Sequence, residues 1–425
     1  MKKILLFSIV FVLVHLNSFA QWTALTSGTT SKLNAVNFLN VDTGYAVGDS
    51  GTIIKTINGG TNWITLSSST TGQLSAVCFT NADVGYVVGT SYSGLIYSGF
   101  ILKTINGGTT WTTQLNTAAP SGLTSVFFSD ANTGHVAGWA EGPGPQFNTS
   151  NGGISWIASS PLIYSVLQSI YFTSSDTGYA VGSDGGGGDP GHSKGIILKT
   201  TDGGASWADI PNISASYLSS VYFTDANTGF AVGDNYSIAG PNGGAIIRTS
   251  DGGTTWHTVA SGTANLLQSL TFTGMNNGYV VGEFGTILKT TDEGSTWTSQ
   301  TSGTIMGLNS VSFIDSNTGY AVGEGGTILK TTNGGGPTGI REKAFGVSLT
   351  IYPNPAVEKV TIKTSLMGNQ IAGTICVYGM TGQELIRRQV EGSEADINVS
   401  SLPTGIYIIR MVTNEKFEFG KFVKE

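Results

Sequence analysis

Apolar side chains along this chain come in short runs separated by glycine, serine, threonine and asparagine, and the runs return on one plan. One unit reads Leu33-Asn34-Ala35-Val36-Asn37-Phe38, then Gly44-Tyr45-Ala46-Val47-Gly48, then Thr52-Ile53-Ile54-Lys55-Thr56, then Asn58-Gly59-Gly60-Thr61-Asn62-Trp63. The runs are strand-length, rich in β-branched and aromatic residues, and bounded by turn formers, so each unit predicts four short strands. The Asn/Asp-Gly-Gly step between the third and fourth is a tight-hairpin signal. Relatives of the second run begin at Gly85, Gly134, Gly178, Gly229, Gly278 and Gly319, a spacing of 41 to 51 residues, and relatives of the fourth end at Trp111, Trp156, Trp207, Trp256 and Trp297. Four strands at that period predict propeller blades, and the lack of any helical period excludes helical solenoids.

The seventh unit stops at Asn333-Gly334-Gly335 without a tryptophan strand. The missing piece lies at the other end of the chain, where Trp22-Thr23-Ala24-Leu25-Thr26-Ser27-Gly28 resembles Trp297-Thr298-Ser299-Gln300-Thr301-Ser302-Gly303. The expectation is an all-β, seven-bladed β-propeller over 21–336, closed by the N-terminal strand so that no sheet edge is left over. After a linker at 337–346 the repeat ends. From Val347 to Glu425 about seven short alternating strands predict a small antiparallel β-sandwich.

The recurring Asn-Gly-Gly-x-(Thr/Ser)-Trp turn resembles the Asp-box, or BNR repeat, of sialidase-like propellers. Together with the Gly-Tyr-Ala-Val-Gly and Thr-Ile-Leu-Lys-Thr runs, it is similar to the photosystem II stability/assembly factor family. That resemblance implies the fold and says little about the ligand, because the turn serves the hairpin and the tryptophan packs between blades. In the last domain, Pro353-Asn354-Pro355, Val377-Tyr378-Gly379-Met380-Thr381-Gly382, Leu402-Pro403-Thr404-Gly405-Ile406-Tyr407 and the terminal Lys421-Phe422-Val423-Lys424 resemble the type A sorting domain of type IX secretion. This second resemblance implies a bacterial chain carried across the outer membrane by the type IX machinery. It further implies that the domain is then removed, leaving the cargo released or attached to the surface.

The first twenty residues agree with export. Lys2 and Lys3 precede an apolar stretch from Ile4 to Leu16, and Ser18-Phe19-Ala20 forms a small-x-small cleavage site, so the mature chain is expected to begin at Gln21. No later segment is long and apolar enough for a membrane-spanning helix. Cys78 and Cys376 fall in different domains and are expected as small buried hydrophobes rather than a disulfide. Only 11% of the residues are charged. Residues 21–340 carry 8 basic and 18 acidic side chains, a balance that argues against nucleic acid and anionic membranes as partners.

The propeller's single arginine, Arg248, stands at the repeat position of Lys55, Lys103, Lys199, Lys289 and Lys330. An arginine triad of the sialidase kind is therefore absent. The six cations are expected to serve neighbouring turns. Asp49, Asp234, Glu283 and Glu324 directly follow the second strand, with Glu141 and Asp184 one or two residues further on. All connect strands two and three, so they emerge on one face as an acidic rim. Acids suit exposed turns for local reasons. Their functional readings are cation or sugar-hydroxyl binding, Ca²⁺ included, or a carboxylate pair for glycoside hydrolysis.

The same connection is longer in blades two to five, and it carries Tyr92, Leu95, Ile96 and Tyr97, then Trp139 with Pro143 and Pro145. Glycines 185–188 with Asp189 follow, and then Asn235, Tyr236 and Pro241. Loops on a rigid scaffold are where binding resides. Trp139, the one tryptophan outside the repeat, is the preferred anchor, against the reading that these loops are neutral elaboration. His135, His192 and His257 lack metal-ligand spacing, and the glycine-rich stretch lacks the ending of a phosphate loop, so no cofactor, metal or catalytic residue is expected. The sequence thus predicts a monomeric, non-enzymatic, extracellular or surface-attached propeller that binds a glycan or protein. A hydrolase using the rim acids and an assembly-factor or chaperone-like scaffold stand as alternatives.

Overall fold

The computed structural model describes residues 21–94, 96–117, 121–140, 145–159, 165–185, 194–211, 213–235, 243–336, 349–363, 372–379, 383–412 and 417–425. The segments expected as signal sequence and linker, together with Glu141, Tyr236 and most of the inserted connections of blades three to five, lie outside these residues. The chain divides into two compact units, one up to Pro337 and one from Thr338.

The first unit is all-β. Among the described residues it holds seven four-stranded antiparallel sheets, with only short 3-10 turns between some of the strands. Blade one is made of Leu33–Phe38, Gly44–Gly48, Ile53–Thr56 and Ile64–Leu66 in that order. Blade seven takes its outer strand from the start of the chain. Thr23–Leu25 pairs with Ile328–Thr331, matching Thr23 to Lys330 and Leu25 to Ile328. The inner strands of blades seven and one are also joined. Val36 N donates to Ser310 Oγ at 3.2 Å, and Asn309 Nδ2 donates to Leu33 O at 2.8 Å.

Both glycines of the Gly-Tyr-Ala-Val-Gly strand answer to close approach. A Cβ on Gly44 would stand 2.5 Å from the Phe38 ring, and one on Gly48 would stand 2.0 Å from Lys32 O. The second contact arises because the inner strand shifts register between Leu33 and Ala35, pressing backbone on backbone. The aromatic residues of the repeat then interlock from blade to blade. Tyr45 stacks on Phe79 of the next blade at 3.9 Å, and Trp111 meets the same ring edge-on at 6.1 Å.

The recurring lysine has a specific task. Tyr45 OH and Lys55 Nζ both donate to Gly107 O, each at 3.0 Å, so blade one grips the Asn-Gly-Gly turn of blade two. Tyr86 with Lys103, Tyr179 with Lys199, Tyr279 with Lys289 and Tyr320 with Lys330 repeat the grip on Gly152, Gly252, Gly334 and Gly59. The turns themselves are held by their caps, as where Thr56 Oγ1 accepts from Gly60 N and Asn58 Oδ1 accepts from Asn62 N.

Two blades depart from this clasp, each with a compensating change. Blade five has Phe230 and Arg248, and the turn it faces carries Glu293 in place of the first glycine. The guanidinium lies 4.0 Å from the Glu293 carboxylate. Blade three has His135 and Asn148. His135 Nδ1 meets Asn148 Oδ1 at 2.9 Å, and Asn148 Nδ2 donates to Gly204 O at 2.8 Å. With Asn148 Oδ1 as acceptor, the proton sits on Nδ1. Nε2 is buried without a partner, and the ring stacks on Phe172 at 3.6 Å.

Burial holds the His135 pKa below its ordinary value, with the Asn148 contact opposing the shift. The unfolded chain therefore binds this proton more readily than the fold does. The contribution to stability is complete above the unfolded value near 6.5 and is lost as pH falls toward the lower folded value. Melts at pH 8 and pH 5 should show a fall for the native chain. The fall should be smaller for His135→Tyr with Asn148→Lys, which restores the clasp used elsewhere; equal falls would show that this histidine does not titrate in that range.

The second unit is a two-sheet sandwich. Thr350–Tyr352, Lys359–Lys363 and Glu394–Asn398 form one sheet. Ala372–Gly379, Glu384–Glu391, Gly405–Val412 and Phe417–Lys424 form the other. Val360, Ile362, Ile375, Val377, Ile409 and Phe422 fill the core between them.

Candidate functional site

In blade one Leu33, at the start of the inner strand, pairs with Gly48, at the end of the second. The connections between strands two and three therefore share a face with those that lead from one blade to the next. Of the acidic residues expected on this face, Glu141 lies outside the described residues, and most of the others have local duties. Asp184 Oδ1 accepts from Lys194 N at 2.9 Å across the neck of its own connection. Glu324 Oε2 accepts from Gly307 N at 3.3 Å. Asp234 is half-buried opposite Tyr217 in the strand register; burial raises the pKa of its carboxyl and pushes the Tyr217 phenol up to about 12. Glu283 stands exposed beside Phe284. Among the described residues no group of three or more histidine, cysteine, aspartate or glutamate side chains could hold a metal ion.

Four of the residues singled out by sequence are brought into one row. Asp49 Oδ1 accepts from Asn34 Nδ2 at 2.9 Å and from Gln73 Nε2 at 3.2 Å. Tyr92 OH then donates to Gln73 Oε1 at 3.1 Å. Tyr92 meets Tyr97 edge-on at 5.3 Å, and Tyr97 lies 6.0 Å from Trp139. The row thus runs from blade one through blade two to blade three. Its middle is raised, because the second and third strands of blade two extend to Ser93 and back from Ile96, nine residues each. Tyr92 is 54% exposed at the tip of that hairpin, with Ile96 beside it. Its hydroxyl pKa is raised, first by burial and then by the Asp49 carboxylate.

Sequence reasoning missed Gln73 and Gly122. Trp139 pairs with Gly122, where a Cβ would come within 2.5 Å of the indole Nε1 and 2.4 Å of Thr90 Oγ1. Only glycine lets the indole lie there. The signal was present as a departure from the repeat: the residue before the inner-strand leucine is Lys32 in blade one, Gln73 in blade two and Gly122 in blade three. The residue before the inner-strand phenylalanine was also unremarked. Phe127, Tyr171 and Tyr222 follow one another there with centroids 5.3 and 5.0 Å apart. Cys78 occupies the same position in blade two, half-buried, its thiol pushed up to about 11 by burial.

In the second unit three sequence motifs meet at one place. Asn354 Oδ1 accepts from Val423 N at 2.9 Å and Asn354 Nδ2 donates to Lys421 O at 3.2 Å, so this side chain, set between Pro353 and Pro355, pairs with the last strand. Gly405 pairs with Lys424, which is buried, while Lys421 is exposed. Tyr407 donates to Pro403 O at 2.7 Å and stacks on Phe422 at 5.5 Å.

Residues 350–425 match the secretion system C-terminal sorting domain. Residues 14–161, 211–306 and 249–340 match the family described as photosynthesis system II assembly factor YCF48. The chain belongs to that family. The fold agrees. A solved structure described as YCF48 bound to D1 peptide is similar at a TM-score of 0.57 and 17% identity, covering 74% of this chain and 98% of its own. YCF48 from Cyanidioschyzon merolae aligns at a TM-score of 0.57 and 19% identity, over 73% of this chain and 99% of its own. The GH74 xyloglucanase from Xanthomonas campestris aligns at 0.56 and 13%, over 93% of this chain and 66% of its own. No curated protein matches the chain in sequence. The sorting domain marks this YCF48-family propeller for secretion to the cell surface by the type IX route.

Proposed function

We propose that the chain is an exported, non-enzymatic binding propeller that engages a glycan or protein ligand through the row from Asp49 to Trp139, the sorting domain being removed once the outer membrane is crossed. The observation that carries this reading is the contact of Tyr92 and Tyr97, on the raised hairpin of blade two, with Trp139 of blade three. The exposed Tyr92 ring, with the half-buried Tyr97 and Trp139 behind it and hydrogen-bonding amides and a carboxylate beside it, suits a ligand with both apolar and hydroxyl-bearing surface. The row is braced from below by the Asp49–Gln73–Tyr92 hydrogen bonds, so its side chains lose little freedom on binding.

The test is binding of the exported chain to a broad polysaccharide array and to extracellular protein fractions, with the washes assayed for released reducing ends. Trp139→Ala should weaken binding roughly tenfold or more, about 1.4 kcal/mol. Undiminished binding by the variant would remove Trp139 from the site. A second reading, hydrolysis of a glycan, is favoured by one observation, the half-buried Asp234 with its raised pKa, the property expected of a general acid. The similarity in fold to a xyloglucanase agrees with it. Release of reducing ends by the native chain, lost in Asp234→Asn, would establish that reading instead.

A further inference from the structure

A repeat protein carries its own controls, because each turn can be compared with the same turn in the other blades. Where the second and third strands join by the minimal turn, the tip residue has a left-handed backbone: Ser50 in blade one, Gly325 in blade seven and Phe284 in blade six. Phenylalanine is disfavoured at a φ of 52°, and its ring is 69% exposed, so neither conformation nor burial accounts for it. The connection between blades shows a second departure. Thr29-Thr30-Ser31 and Thr263-Ala264-Asn265 become Thr304-Ile305-Met306 between blades six and seven. Ile305 is 82% exposed and Met306 46%.

These two departures line the same groove, about 740 Å³ in volume, beside the outer strand of blade six. The remaining lining is Gly, Ser, Thr, Asn, Gln and one Leu, with no charged side chain. Acids stand next to it: Glu283 precedes Phe284, and Glu324 holds Gly307 N, which follows Met306. Contiguous exposed apolar groups that a soluble surface does not need mark an interaction site. The neighbouring glutamates set its charge preference.

We infer that this groove binds an extended polypeptide segment in which an aliphatic or aromatic side chain is flanked by lysine or arginine. The apolar side chain lies against Phe284, Ile305 and Met306, and the cations face Glu283 and Glu324. This site lies in a different sector from the Asp49–Trp139 row and does not depend on it.

The experiment selects random dodecapeptides displayed on phage against the intact exported chain. Enriched sequences are then resynthesised with a fluorophore and titrated by fluorescence anisotropy. The expected result is enrichment of peptides combining lysine or arginine with a large apolar residue, with affinity falling as salt is raised. Phe284→Gly, and separately Ile305→Thr with Met306→Ser, copy turns the ring already uses, and each should weaken binding roughly tenfold while leaving the melt at or above that of the native chain. Glu283→Gln should flatten the salt dependence. Trp139→Ala should leave the peptide affinity unchanged, which separates this site from the other. Absence of enrichment, selection of acidic peptides, equal binding by the groove variants, or loss of binding in Trp139→Ala would each overturn the assignment. Self-association of the native chain that the groove variants abolish would also overturn it, since the occupant would then be a second copy.

Discussion

An exported chain lacking residues 21–28 is expected to melt far below the intact protein. Trp22 is 1% exposed and sits between rings from two blades, 5.7 Å from Phe313 and 6.5 Å from Tyr279, both edge-on. Burying an indole removes roughly 150–250 Å² from water, which at ~25 cal/mol/Å² is about 4–6 kcal/mol as an upper bound. The deletion also strips Ile328–Thr331 of its outer partner strand, so an unpaired edge opens on blade seven and invites association between chains. Trp22→Ala separates the two effects: it keeps the backbone pairing and should cost about 3–5 kcal/mol through lost burial and the cavity left behind. Near-ultraviolet circular dichroism melts with light scattering in parallel would measure both. A deletion that melts with the intact chain would show that the N-terminal strand contributes nothing to the ring.

Much of this architecture was legible because it is written many times. Periodicity placed the strands and gave Trp22 to the far end of the chain, and a position occupied by lysine five times had to have a purpose. Its target was not legible. A lysine that donates to a carbonyl leaves no mark on the residue receiving it, since Gly107 O belongs to the backbone. The exceptions show the same limit from the other side. Arg248 answers Glu293, and His135 answers Asn148, because a change of side chain on one partner required a change on the other. Each pair occurs once, so no repeat announces it.

The candidate site was legible only where its residues were unusual. Tyr92, Tyr97 and Trp139 stood out as aromatics in inserted loops, and they do touch. The acidic rim looked like one feature in sequence, yet Asp184 closes its own blade's connection, Glu324 holds the connection that arrives from blade six, and Asp49 holds two amides. Equivalent positions in a repeat share a face without meeting, because the ring separates them. Gln73 and Gly122 were missed for a related reason: the repeat makes one side of the inner strand salient, and its flank is read as filler.

Gly233→Ala is expected to destabilise the propeller by about 3 kcal/mol or more, whereas Gly262→Ala should cost about 1 kcal/mol. The two glycines are retained for different physical reasons. At Gly233 a Cβ would stand 2.0 Å from Tyr217 O and 2.8 Å from Leu218 Cα, both backbone atoms of the shifted inner strand. Neither can rotate away, so relief requires moving the inner strand, and with it the hydrogen bond from Leu270 N to Ser220 Oγ that ties blade five to blade six. At Gly262 the backbone is left-handed, φ 72°, and nothing lies within 4 Å of the added methyl, so only conformational strain is felt. Urea unfolding of the two variants side by side checks the ordering. If Gly262→Ala proved the costlier change, backbone conformation and not close approach would govern glycine use in the ring, and the Gly-Tyr-Ala-Val-Gly signature would need another cause.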